Sequence, residues 1–406
     1  MRVDLLTREF PPHVYGGAGV HVAELSAVLA RHVEVRVRCF DGPRPGRSDG
    51  TRQAPVVTGY DVPGDLAEVN PALRTFGVDL RMAADVAGAD LVHSHTWYAN
   101  LAGHVGALLH DVPHVLSAHS LEPLRPWKAE QLGGGYALSS WAERTAYEGA
   151  TRVIAVSAGM RADILRAYPQ IDPEKVVVVH NGIDTSVWAR PEEETIAQVA
   201  AEHGIDPHRP AVIFVGRITR QKGLGYLLAA AESLPPEVQL ILCAGAPDTP
   251  ELAAEVSEGV RRLQQQRTGV VWISEMLPRE QVAALLAVAT VFVCPSIYEP
   301  LGIVNLEAMA VGTAVVGSAT GGIPEVVDDG VTGLLVPLEQ LTDGTGTPLA
   351  PQQFVADLAA ALTELTGDPA RAAAMGEAGR RRAAEQFSWD SIAERTLEVY
   401  TDALGG

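Results

Sequence analysis

At 406 residues with 47% hydrophobic content, the chain is long enough for two or three domains with sizeable cores. A formal charge of −19 disfavours non-specific binding to nucleic acid or anionic membrane, so a phosphate-bearing substrate needs a local cluster of cations set against the global field. No apolar run reaches the roughly 18 residues of a membrane span, and Cys39, Cys243 and Cys294 each sit unpaired in a strand-like run, as reduced thiols of a cytoplasmic protein do.

The N-terminal Met1-Arg-Val-Asp-Leu-Leu-Thr is apolar only briefly before charge returns, which is a first strand and not a signal peptide. Val22, Leu25 and Leu29 then recur at helical spacing. Val33-Glu-Val-Arg-Val-Arg-Cys39 alternates apolar and charged residues, the period of an edge or half-buried strand. Apolar runs follow at Asp90–His93, His114–Ser117, Val153–Val156 and Lys175–Val179. After Asn181 the rhythm restarts at Ala211–Val215, Gln239–Cys243, Gly269–Ile273, Thr290–Cys294 and Thr313–Gly317, with a helix-length segment between successive runs. The reading is an α/β fold with two doubly wound parallel sheets. The expected division is 1–184, 185–387 and a C-terminal helix over 388–406, in which Trp389, Ile392, Leu397 and Tyr400 mark a face that packs back on the domains. Leu341–Pro351, rich in Thr, Gly and Pro, reads as a surface excursion.

Active sites of open parallel sheets lie beyond the carboxyl ends of the strands. Gly16-Gly17-Ala-Gly follows the first strand and opens a helix, where glycine lets backbone approach a phosphate. Arg217 and Lys222 follow the strand Ala211–Val215 and offer a planar fork and a point charge to phosphate oxygens. Glu299-Pro-Leu-Gly-Ile-Val-Asn-Leu-Glu307 places one carboxylate before a helix, because the residue preceding proline avoids the α region, and the other about two turns inside it. The N–H groups at that helix start lack internal partners and attract an anion, while the carboxylates suit sugar hydroxyls; a sugar nucleotide offers both. His93 and His95 mimic a metal pair, but without a third ligand at a Cys/His spacing they read as structural. His119 also falls at a strand end, within reach of a substrate hydroxyl.

Gly-Gly-Ala-Gly at 16–19, His-Ser-Leu-Glu-Pro at 119–123, Val-Gly-Arg…Lys-Gly at 215–223 and Pro295–Gly312 together resemble the family 4 retaining glycosyltransferases of the GT-B fold, along nearly the whole chain. That resemblance implies two Rossmann-like domains facing across a cleft, the nucleotide on the C-terminal one and no metal or other cofactor. It further implies that Arg217 and Lys222 bind the diphosphate, that Glu307 holds the ribose, and that Glu299 and the N–H groups of Leu301, Gly302 and Ile303 hold the donor sugar. His119 would then meet the transferred sugar near its reacting carbon, and Gly16 and Gly17 would approach the donor. Leu6–Pro12, Tyr15–Val22 and His119–Lys128 are similar to an actinobacterial branch that makes α-maltose 1-phosphate from ADP-glucose and glucose 1-phosphate. The longer glycogen synthases carry a Lys where this chain has Val14, a departure that weakens the alternative of an α-1,4-glucan synthase using ADP- or UDP-glucose.

Arg125 and Lys128, two cations just past His119, are the expected receivers of the acceptor's phosphate. Three other readings stay open. A sugar-nucleotide epimerase of similar architecture would need no acceptor. A binding protein would not need the full set Arg217, Lys222, Glu299 and Glu307. The third is transfer from UDP-glucose, UDP-N-acetylglucosamine or GDP-mannose to a lipid or protein; a lipid acceptor would call for a basic amphipathic docking helix, of which the chain shows none. The expected partners are therefore small molecules or an α-glucan, with neither nucleic acid nor membrane; nucleotide base and oligomeric state are left open.

Overall fold

The computed structural model describes residues 1–44, 54–341 and 343–405, and these fall into two compact units, Met1–Gly182 with Trp389–Gly406, and Ile183–Ser388. The first holds β1 (Arg2–Thr7), β2 (Glu34–Phe40), β3 (Val56–Tyr60), β4 (Leu91–His95), β5 (His114–Ala118), β6 (Arg152–Ala155) and β7 (Val176–Val178), in the order β3-β2-β1-β4-β5-β6-β7. The second holds β8 (Ala211–Arg217), β9 (Gln239–Gly245), β10 (Val270–Ile273), β11 (Val291–Cys294), β12 (Ala314–Ser318) and β13 (Gly333–Val336), in the order β10-β9-β8-β11-β12-β13. Every pairing in both sheets is parallel. Strands covered by helices on both faces are near-continuously apolar, which is why the runs were legible as strands.

The strand order reverses between β1 and β4 in the first sheet and between β8 and β11 in the second. Loops leaving the carboxyl ends of those four strands define the crevices where ligands of such sheets bind. In the first unit one core gathers Leu5, Leu25, Val37 and Leu91 with Trp389, Ile392 and Tyr400 of the helix Trp389–Gly405. That helix lies against the helix Gly17–Leu29 and is part of the first unit. The opposite face of the sheet is covered by Val78, Met82, Ala99 and Ala102. Among the described residues, no helix is long and apolar enough to cross a membrane.

Of the two readings of β2, edge or half-buried, the first is excluded, because β3 pairs outside it from Arg36↔Val56 to Phe40↔Tyr60. Its charged positions are tolerated inside the sheet because Arg38 donates to Asp4 at 2.7 Å and to the Tyr60 hydroxyl at 2.6 Å. The segment Leu341–Pro351, whose Thr342 lies outside the described residues, is more than a surface excursion: it folds back so that Leu341 N–H meets Thr347 O at 2.9 Å. Gln340 at its base donates to both Gly346 O and Ile297 O at 2.6 Å, which makes the turn a buttress for the loop after β11.

Candidate active site

In the second unit the loops after β8 and β11 meet at the switch point. The chain turns at Gly223, with φ +64°, and a Cβ there would lie 1.9 Å from Pro295 O, so only glycine lets the two loops touch. Ile297 N–H closes the contact on Gln221 O at 2.8 Å, and Gly322 N–H holds Glu299 O at 2.9 Å from the other side. On this frame Lys222 Nζ donates to Glu299 Oε2 at 2.6 Å, and Ser296 Oγ donates to the same oxygen at 2.9 Å. Burial disfavours the Lys222 ammonium, but the Glu299 carboxylate outweighs it and holds the pKa above the ordinary value.

Arg217 is more open, its side chain 46% exposed, and it is paired with Asp248 at 2.7 Å. The helix Ile303–Val311 begins after Gly302 at φ +92° and has no side-chain cap. Its start is an anion site in waiting, with the cation Lys222 placed beside the loop that leads into it. Glu307 stands in its second turn, half-buried, and burial pushes its carboxyl up to about 7 against the pull of Arg279 and Lys222. Arg217, Lys222, Glu299 and the Leu301–Glu307 segment thus occupy one end of one sheet.

In the first unit His119 follows β5, and its Nε2 lies 3.0 Å from His95 Nδ1. Burial drives the His119 pKa down to about 4, so its imidazole is neutral at physiological pH. His93 is a core residue, bonded through Nδ1 to Tyr400 Oη at 2.7 Å and through Nε2 to Ser117 Oγ at 2.8 Å. His95, by contrast, does have ring partners that no sequence spacing announced: His21 and His119 converge on it from other elements. His93 is no part of that group, so the two histidines spaced two apart do not act as a pair.

The glycine turn is already engaged. Glu9 Oε2 accepts the N–H groups of Tyr15 and Gly16 at 2.8 Å each, so an acidic side chain occupies the place an anionic ligand would take. Arg125 donates to Ser120 Oγ at 3.1 Å, and Lys128 is buried. Their loop is anchored by two buried carboxyl groups: Glu122 accepts from Ser139 Oγ at 2.6 Å, while Glu143 accepts Glu122 N–H at 2.8 Å. Burial and the neighbouring Glu122 push Glu143 up to about 8. Missed in the sequence is a cavity of about 570 Å³ at the ends of β1 to β4, whose lining includes Arg8 and Arg74 with the acids Asp41 and Asp61 and the ring of Tyr98. The Arg8 guanidinium stacks over the Tyr98 ring at 4.7 Å and the Phe40 ring at 5.5 Å, a contact that holds it pre-formed. An arginine directly after the first strand was the available clue.

Two doubly wound parallel units of this kind are the GT-B architecture of glycosyltransferases. Over 100% of this chain and 99% of the other, the structure is similar to sucrose-phosphate synthase from Thermosynechococcus elongatus, with a TM-score of 0.79 at 24% identity. Residues 15–187 match the model of Glycosyltransferase Family 4, and residues 196–382 that of Glycosyl transferases group 1. The chain belongs to this glycosyltransferase family and is a hexosyltransferase. It is 57% identical over 400 residues to the alpha-maltose-1-phosphate synthase of Mycolicibacterium smegmatis, covering 98% of this chain and 99% of that one. It is 54% identical, with the same coverage, to the alpha-maltose-1-phosphate synthase of Mycobacterium tuberculosis.

Proposed function

We propose that the enzyme transfers glucose from ADP-glucose to the 4-hydroxyl of α-glucose 1-phosphate, with retention, giving α-maltose 1-phosphate for α-glucan synthesis. The observation that carries this reading is the 57% identity, over nearly the full length of both chains, with a relative bearing that synthase name. In the reaction the bond from the anomeric carbon to the diphosphate oxygen breaks and a bond to the acceptor's O4 forms on the same face. The acceptor proton leaves with the departing diphosphate.

Negative charge grows on that diphosphate, and fixed positive groups that await it lower the barrier most. Arg217, Lys222 and the N–H groups at Gly302 and Ile303 fill this role, so the step does not call for a metal. Glu299 orients Lys222 and receives hydroxyls of the donor sugar together with Leu301 N–H. Glu307 takes the ribose. His119 presents a neutral imidazole to the transferred glucose, and Gly16 and Gly17 approach the donor once Glu9 gives way.

For the acceptor's phosphate, Arg125 and Lys128 are one pair of candidates. Arg8 and Arg74 are the better placed pair, because they line an open cavity while Arg125 is bonded to Ser120 and Lys128 is buried. The test is an incubation without added metal, pairing ADP-glucose or UDP-glucose with glucose 1-phosphate, glycogen or no acceptor. A disaccharide phosphate formed only from ADP-glucose with glucose 1-phosphate is the expected result. Glucan extension without use of glucose 1-phosphate would replace the reading with a glycogen synthase, and turnover of the nucleotide sugar without acceptor would point to an epimerase.

A further inference from the structure

We infer that His21, His95 and His119 form a binding site for a divalent transition-metal ion of the Zn²⁺ or Co²⁺ class. His21 comes from the helix Gly17–Leu29, His95 ends β4, and His119 follows β5. One ring nitrogen of each lies within 4.8 Å of one nitrogen of both others. Metal–nitrogen bonds of about 2.0–2.1 Å in a tetrahedral site set the nitrogens about 3.4 Å apart. His95 Nδ1 and His119 Nε2, at 3.0 Å, need only a slight opening to take an ion between them. His21 closes the third side by a shift of at most about 1.4 Å, within reach of a side-chain torsion.

The donors are in the state an ion requires. Burial lowers the pKa of all three imidazoles, so the lone pairs are available without loss of a proton. Neither ring nitrogen of His21 has a hydrogen-bond partner, nor has His95 Nε2, although both residues are almost wholly buried. Asn181 stands beside His21 and its side chain interacts with that imidazole, though its Oδ1 lies outside hydrogen-bond geometry. Buried polar atoms are normally paired, and an ion held among the three rings would take one of the unpaired nitrogens of His21. The Trp389 ring backs His21 at 5.4 Å, while half-exposed His119 leaves an approach from outside. A set of three imidazoles without carboxylate or thiolate selects Zn²⁺, Co²⁺, Ni²⁺ or Cu²⁺ over Mg²⁺ and Ca²⁺.

Such an ion takes the lone pair of His119, so on the function proposed above it is an inhibitor and not a cofactor. The test is a titration of the full, untagged chain with Co²⁺ after chelator treatment, followed by visible absorption, with Zn²⁺ and Mg²⁺ as competitors. Expected are the intense bands of tetrahedral cobalt at one equivalent, displaced by Zn²⁺ but not by Mg²⁺. His21→Phe keeps a ring against Trp389 and should bind roughly a hundredfold more weakly; His21→Asn serves as a second variant, and circular dichroism checks the fold of both. Weak octahedral bands, or tetrahedral bands unchanged in both folded variants, would overturn the site. The spectrum uses no sugar substrate, so it is independent of the function reading. If Co²⁺ binds through His21 and transfer continues undiminished, the site stands and His119 loses its assigned role.

Discussion

Replacing Lys222 with methionine keeps the aliphatic stem and removes the ammonium from a pair whose side chains are 19% and 9% exposed. At 2.6 Å, two unit charges at an effective dielectric of 20 attract by about 6 kcal/mol. That attraction is set against a desolvation cost of several kcal/mol for each ion, so the net worth of the pair is small while the cost of splitting it is large. Loss of one partner of a buried pair typically costs about 3–5 kcal/mol, and the low end applies because Ser296 Oγ still donates to Glu299 at 2.9 Å. For a unit of some 200 residues, about 3 kcal/mol corresponds to a drop of roughly 6–12 °C in Tm. Lys222→Met with Glu299→Gln removes the stranded charge and should recover most of that drop. Transfer should stay down by about 10²–10³-fold in both variants, the scale of losing one group that stabilises transition-state charge. Calorimetry on the second unit's transition, run beside the donor–acceptor assay, reads both quantities. A Tm for Lys222→Met equal to wild type would refute the coupling, and restored activity in the double variant would mean that Lys222 serves Glu299 and not the substrate.

Glu307→Gln should separate stability from function by pH. Its carboxyl is raised from 4.5 to about 7 by burial, so the native state increasingly resists its ionisation. The destabilisation sets in as pH rises past the unfolded value and is complete above the folded one, reaching up to about 3 kcal/mol. The variant should therefore match wild type near pH 4, exceed it near pH 8 and bind donor more weakly; parallel pH curves would contradict the assignment. Gly223→Ala forces a side chain onto φ +64° and onto Pro295 O, and should cost at least about 2 kcal/mol together with transfer activity; wild-type stability and rate would show that the loops need not touch. Arg8→Ala should raise KM for glucose 1-phosphate about tenfold or more with KM for ADP-glucose unchanged, whereas Arg125→Ala should change either KM less. The reverse ranking would return the acceptor's phosphate to the loop after β5.

The strands legible in the sequence are those whose physics is local. Ala211–Val215 and Thr290–Cys294 are unbroken apolar runs because both faces of a parallel sheet are covered. β3 carries a weak signal because Val56-Val-Thr-Gly-Tyr60 follows a proline and contains a glycine, and β13 because Gly333-Leu-Leu-Val336 is four residues long. Lys222 and Glu299 were singled out separately, each at its own strand end, but their bond spans 77 residues and no local pattern writes it.

Topology supplies what pattern does not. In a doubly wound sheet the reversal of strand order makes two particular strands neighbours, here β8 and β11, and their carboxyl-end loops then share one crevice. A cation on the first loop and an acid on the second must meet there or be stranded. The same argument brings His95 to the edge of the first sheet's crevice, since β4 adjoins β1. It also sets His119 beside His95, since β5 adjoins β4. His21 is a different case. It lies between Val20 and Val22 in a helix that apolar spacing and the preceding glycine turn announce, and it is buried. An imidazole kept in a buried helix position with both nitrogens unpaired costs stability in the metal-free protein. An ion bound among the three rings would offset that cost, and only the fold, by bringing the helix after β1 over the ends of β4 and β5, sets His21 beside His95 and His119.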